Sequence, residues 1–407
     1  MAVSRATDAT ESRCIYLDNA STTRVWPQVL ETMARMLRED YGNPSSRHHL
    51  GAQAREAVEE ARGRVAALVG APPSCIYFTG SATEANNLAI LGTAYQHRRQ
   101  GRHLVATAIE HPSVLEPLRA LEQEGFEVSL VRPGPDGVVS PDDVAAALRP
   151  DTILVSVMTV NNEVGSVQPV EAIVRAVRAT APHALVHSDM VQAAGKLPVD
   201  VRALGLDLAS LSAHKLHGPK GIGALYVRTG VRLRPIVWGG GQERGVRSGT
   251  ENVPAIAGFG VAAAIARAAL PETVARLRGL MRRLREGLRE AYPEVAPLGP
   301  QDEARRAPHI LAAAFPGLRA EVLASHLDQQ EGVAVSIGAA CSSHKTRTSH
   351  VLEAMEVPPA LAASAVRISL GLMTTEEEVD AAIRRIGSAA RDLKAFLASG
   401  GRRGARA

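Results

Sequence analysis

Ile153-Leu154-Val155-Ser156-Val157-Met158 is a nearly unbroken apolar run, and the polar string Val160-Asn161-Asn162-Glu163-Val164-Gly165 follows it. A strand that is apolar on both sides needs cover on both faces, which is the condition of a parallel sheet sandwiched by helices. Working outward, short β-rich runs recur at Ile76–Phe78, His103–Thr107, Glu127–Val131, Ala184–His187, Leu208–Leu211 and Ala224–Val227. Between them lie Ala- and Arg-rich stretches with helical texture: 52–68, 84–98, 113–123, 142–148 and 170–179. This alternation predicts an α/β fold with a mainly parallel, doubly wound sheet.

The texture changes after helices predicted at 253–269 and 272–291. Residues 297–308 read as a loop, and strands at Ile310–Phe315, Val333–Ser336 and Val366–Ser369 mix with helices beyond it. The expected division is a large α/β domain over 15–265 and a smaller α+β domain formed by 1–14 and 266–395. Residues 396–407, with Arg402, Arg403 and Arg406, are expected to be a flexible basic tail.

The 407 residues are 45% hydrophobic and 22% charged, which excludes a wholly disordered or collagenous chain. Aromatics are only 3%, so Ala, Leu, Val and Ile must build the core. No run is long and apolar enough to span a bilayer, and 1–14 lacks the apolar segment of a signal peptide. Three scattered cysteines (Cys14, Cys75, Cys341) suit a reducing compartment, so a cytoplasmic protein is expected. Cys14 and Cys75 read as buried structural thiols. The net charge of +4 is spread along the chain, so neither a membrane nor a nucleic acid is an expected partner. Five lysines (Lys196, Lys215, Lys220, Lys345, Lys394) stand against forty-one arginines, which makes each lysine a functional candidate.

In open α/β sheets ligands bind beyond the carboxyl ends of the strands. Five successive strand ends here deliver chemistry. The turn Thr79-Gly80-Ser81-Ala82-Thr83-Glu84 opens a helix with free N–H groups and hydroxyls, a setting for phosphate. Next come Glu110-His111, the Asn161-Asn162 pair, Asp189 with Gln192, and Lys215 between His214 and His217. A lysine able to form a Schiff base, an acid for a pyridinium nitrogen and a phosphate cradle describe a pyridoxal phosphate site. A neighbouring imidazole can stack on the ring, and Gln192 can donate to its phenolic oxygen.

These strings, together with 16–23, 42–46, 78–87, 212–221 and 239–252, resemble the NifS-like cysteine desulfurases, in register from about residue 16 to 379. That group belongs to the class V aminotransferases, within fold-type I pyridoxal phosphate enzymes. The resemblance implies that Lys215 holds the cofactor as a Schiff base, Asp189 pairs with its ring nitrogen, Gln192 bonds its phenolic oxygen and His111 stacks on it. It implies phosphate contacts from Ala82, Thr83, Ser212 and His214, and one from Thr250 of a second subunit, hence a homodimer. Asn162 and Arg367 match the groups that hold the substrate carboxylate, a task suited to an Arg fork. Cys341, in Gly338-Ala339-Ala340-Cys341-Ser342-Ser343, matches the persulfide-forming nucleophile of the group I type, with Lys345 and Arg347 placed to favour its thiolate. The implied reaction turns L-cysteine into L-alanine and passes sulfur from Cys341 to an acceptor protein, as in iron–sulfur cluster assembly. No metal site is expected. Selenocysteine lyase, or another class V enzyme in which Cys341 is incidental, are the alternative readings. The pattern departs from the usual one at Ile337 and at Met190, both bulkier than is common.

Overall fold

The computed structural model describes residues 14–337 and 349–400. Among the described residues thirteen strands follow in order: β1 (Ile15–Tyr16), β2 (Ile76–Thr79), β3 (His103–Thr107), β4 (Glu127–Val131), β5 (Thr152–Ser156), β6 (Leu185–Asp189), β7 (Leu208–Ser212) and β8 (Gly223–Val227), followed by β9 (Ala296–Leu298), β10 (Ile310–Ala314), β11 (Val333–Ala334), β12 (Ser336–Ile337) and β13 (Ala365–Ser369).

Seven of them form a sheet in the order β2-β8-β7-β6-β5-β3-β4. Strands β7, β6, β5, β3 and β4 are parallel neighbours, whereas β8 runs antiparallel to both β7 and β2. One reversed strand between β2 and β7 leaves those two parallel to each other. The carboxyl ends of β2, β3, β5, β6 and β7 therefore emerge on one edge, as the doubly wound reading requires. Strands β3, β5, β6, β7 and β8 are buried along their whole length. The helices Ala82–His97 and Pro112–Gln123 pack on one face, with Leu88, Leu118 and Leu121 against Leu104 and Leu154. On the other face, helices His49–Leu68 and Val253–Ala268 supply Val58, Val65, Ile256 and Phe259.

A second, antiparallel sheet has the order β12-β13-β10-β9. Helices Leu270–Ala291, Ala320–Gln329 and Glu376–Gly400 cover it through Leu277, Leu284, Leu323 and Ile386. Three features bear on how the two cores divide the chain. The break between the two long helices falls at Ala269. Ile15 and Leu17 pack into this second core, because β1 pairs with β11. Residues 396–399, expected to begin a flexible tail, continue the last helix, while 401–407 lie outside the described residues.

Two smaller expectations also need correction. Pro297 and Leu298 belong to β9 instead of a loop; β9 is an edge strand, where a residue without an N–H removes no ladder bond. Cys14 is exposed, since it precedes β1 at the surface, whereas Cys75 is buried as expected, with its Sγ 3.4 Å from Thr229 Oγ1.

Candidate active site

A cavity of about 250 Å³ opens at the shared strand edge. Of the twelve predicted site residues, ten line it: Ala82, Thr83, His111, Asn162, Asp189, Gln192, Ser212, His214, Lys215 and Arg367. Thr250 does not. It lies exposed beside a separate cavity with Gly80, Arg247 and Asn252. Cys341 lies outside the described residues, as do Lys345 and Arg347.

Each wall is placed by local chemistry. The helix Ala82–His97 begins where Ser81 Oγ accepts from Glu84 N at 3.1 Å, and its first turn faces the cavity. Gly223, on the adjacent β8, lets the strand come this close: a Cβ there would sit 2.5 Å from the Ser81 carbonyl carbon and 2.7 Å from Ala82 N. Pro112 opens the helix after β3, and His111 caps it by accepting at Nδ1 from Ser113 N at 3.1 Å. Asp189 ends β6 and is buried; its Oδ2 accepts from Asn86 Nδ2 at 2.8 Å and its Oδ1 from Val191 N at 3.0 Å. Gln192 donates Nε2–H to Ala20 O at 2.9 Å, while its Oε1 lies 3.2 Å from His309 Nε2. Met190, bulkier than the usual pattern, packs into the core and does not line the cavity.

Lys215 follows β7 in a short helical turn and donates Nζ–H to Ala20 O at 2.7 Å and to Ser21 O at 2.5 Å. A second lysine stands behind it. Lys196 is buried and donates to the Lys215 carbonyl at 2.9 Å; burial first, then the Lys215 charge, bring its amine down to about 7. His214 is pulled down to about 4 by burial and by Lys215, Lys220 and Lys196, so its ring is neutral near pH 7. Burial likewise lowers His111 from the usual imidazole range, with Asp189 opposing the shift.

Arg367 projects from β13, so the second sheet completes the cavity. Its Nη1 donates to Asn162 O at 2.9 Å, and its Nη2 to Asp18 Oδ1 at 2.9 Å and Ser21 Oγ at 2.6 Å. Nε is buried with no hydrogen-bond partner among the described residues. An unpaired guanidinium N–H beside the cavity is the kind of donor a ligand oxygen satisfies.

Several supporting residues were not assigned from sequence. Asn86 and Ser113 lie inside or beside the quoted strings 78–87 and Glu110-His111, but nothing in them announced a contact with Asp189 or His111. His309 carried no signal. Lys196 stood out only as one of five lysines.

Residues 15–382 match the model of the aminotransferase class-V family. The chain belongs to the class V aminotransferase family. Similar proteins include one of Anaeromyxobacter dehalogenans named cysteine desulfurase IscS, 46% identical over 383 residues and 93% of each chain. Another of that name, from Salmonella schwarzengrund, is 46% identical over 374 residues and 91% of each chain. A solved structure titled NifS-like protein superposes with a TM-score of 0.86 at 41% identity, covering 92% of this chain and 98% of that one.

Proposed function

We propose that the protein is a pyridoxal phosphate-dependent cysteine desulfurase that places the sulfur of L-cysteine on Cys341. The carrying observation is the convergence of Lys215, Asp189, His111 and Arg367 on one cavity, in a class V chain with relatives named cysteine desulfurase. The residues fit the cofactor. The first turn of the helix at Ala82, with Ser212 and His214 beside it, offers N–H and hydroxyl donors for a phosphate. Asp189 offers the buried carboxylate for the ring nitrogen, and Lys215 the amine that holds the group covalently. Once bound, pyridoxal phosphate supplies an electron sink that makes the substrate Cα–H and Cβ–S bonds labile.

The chain's own residues then have defined tasks. Arg367, steadied by Asp18 and by the Asn162 carbonyl, holds the substrate carboxylate through its Nε–H, which has no partner among the described residues. Lys215 Nζ, tethered through the Lys215 carbonyl to Lys196, takes the proton from substrate Cα. The Cys341 thiolate attacks the substrate sulfur; an S–S bond forms, the C–S bond breaks, and its electron pair and a proton go to Cβ. L-Cysteine and the Cys341 thiol thus become L-alanine and a Cys341 persulfide, with atoms and electrons balanced. A thiol of an acceptor protein takes the outer sulfur. Thr250 completes the phosphate site of a second subunit in a homodimer, in a cytoplasmic setting.

The test is alanine formed from L-cysteine, with dithiothreitol as sulfur acceptor, by wild type and Cys341→Ala. The expected result is alanine from wild type and almost none from the variant. Equal alanine from both removes Cys341 as the sulfur carrier. None from either overturns the substrate, and L-selenocysteine is then the next to try.

A further inference from the structure

Asn86 sits one turn inside the helix Ala82–His97, fully buried between two groups of the proposed site. Its Nδ2 is 2.8 Å from Asp189 Oδ2 and 2.8 Å from Ser113 Oγ. A carboxylate can only accept, so the amide nitrogen must face Asp189, and its two hydrogens go to Asp189 and to Ser113. Asn86 Oδ1 is left buried with no partner among the described residues. A native chain tolerates such an orphan where the other half of the amide is needed in place.

The direction propagates. Ser113 Oγ accepts from Asn86, so its single hydrogen is free to point at His111 Nδ1, 2.8 Å away. The backbone N–H of Ser113 points at the same nitrogen from 3.1 Å and cannot reverse its sense. Two donors meet one ring nitrogen, which must therefore carry a lone pair. A neutral imidazole with Nδ1 unprotonated has its hydrogen on Nε2.

We propose that Asn86 and Ser113 are positioning residues that hold His111 as the tautomer with its proton on Nε2, so that the ring meets the substrate as a hydrogen donor and not as a base. The consequence for catalysis rests on the function proposed above; the tautomer itself does not. To become imidazolium, His111 has to take a proton on Nδ1, and that means turning away both the Ser113 hydroxyl and the Ser113 amide. The relay thus works in the same direction as burial. The charges facing the ring are Asp189, which favours the cation, and Lys215 and His350, which oppose it; Glu110, the preceding residue, is buried beside it. With His111 committed as a donor, Lys215 is left as the amine that takes the Cα proton.

The experiment is nitrogen-15 NMR of the histidine-labelled holoenzyme across pH, with His111 assigned by the loss of its signals in His111→Gln. Wild type is expected to show an unprotonated Nδ1 and a protonated Nε2. Ser113→Ala leaves Asn86 and Asp189 bonded, and should raise the His111 titration midpoint by about one pH unit, a tenfold change in ring protonation. Ser113→Thr, which keeps the hydroxyl, should restore the wild-type midpoint, and Asn86→Ala should follow Ser113→Ala. An Nδ1–H signal in wild type, or the same midpoint in wild type and Ser113→Ala, overturns the proposal. Alanine assays on the same samples report the desulfurase reading separately, because the ring spectra are read whether or not L-cysteine is turned over.

Discussion

Glu110 shows how a single side chain can hold a charge state against its ordinary chemistry. It is fully buried, and its Oε1 accepts from Thr107 Oγ1 at 2.6 Å and from Met158 N at 2.8 Å, while Oε2 has no partner among the described residues. Burial raises this carboxyl to about 8, against the opposing pull of those two donors. A carboxyl raised in the folded state keeps its proton there while the unfolded chain loses it near the usual value. Its contribution to stability is therefore fully present below about pH 4.5, and is lost progressively as pH rises toward about 8. Glu110→Gln imitates the protonated acid at every pH. Thermal melts should show the variant and wild type close at pH 5, with the variant increasingly the more stable toward pH 8. Parallel curves for the two across that range would mean that Glu110 is already ionised in the fold.

At the scale of elements, the segment Gly239–Asn252 depends on a buried ion pair. Arg62, from the helix His49–Leu68, makes a two-pronged contact with Glu243 at 2.8 and 2.9 Å, both side chains almost wholly buried. Arg62 also donates to Ile76 O, and Glu243 accepts from Phe78 N at 2.8 Å, so the pair ties this segment to β2. Glu243 and Arg244 adopt left-handed backbone conformations (φ 46° and 56°), which these contacts must sustain. Arg62→Ala leaves a buried carboxylate unpaired and should cost about 3–5 kcal/mol in urea unfolding. The double variant Arg62→Met/Glu243→Gln keeps an acceptor for Phe78 N and should lose much less than Arg62→Ala; equal or greater loss would show that the charge pair is not the source. This pair also marks what was legible in the chain and what was not. Fully buried strands such as β5 declare themselves as apolar runs, and each strand end then announces its own side chain, which is why nine of the ten cavity residues lie in strand-end strings; the tenth, Arg367, came only from the family resemblance. Arg62 and Glu243 are 181 positions apart, and Asn86 and Asp189 are 103 apart; Arg62 and Glu243 read locally as ordinary surface charges and Asn86 as a helix amide. Only the assembled sheet brings them together. The helix Pro27–Arg38 was likewise missed, since Trp26 in its capping position bears no side-chain cap.

For the molecule as a whole, the property to test is whether one chain makes a complete site. Thr250 is exposed and outside the main cavity of its own chain, and Leu30, Leu37, Tyr41 and Trp238 are large apolar side chains left at the surface. Both features suit a chain whose partner is a second copy of itself, with Thr250 serving the other cavity. Mixed dimers decide this cleanly. A Lys215→Ala subunit lacks its own amine but carries Thr250; a Thr250→Ala subunit carries Lys215 but lacks the hydroxyl. If Thr250 acts across the interface, the mixed dimer contains one site with both defects and one site with neither. Co-refolding the two variants in equal amounts should then bring alanine formation to at least about a quarter of wild type: random pairing makes half the dimers mixed, each with one intact site. If Thr250 serves its own chain, every site keeps one defect, and mixing gains nothing over the Thr250→Ala enzyme.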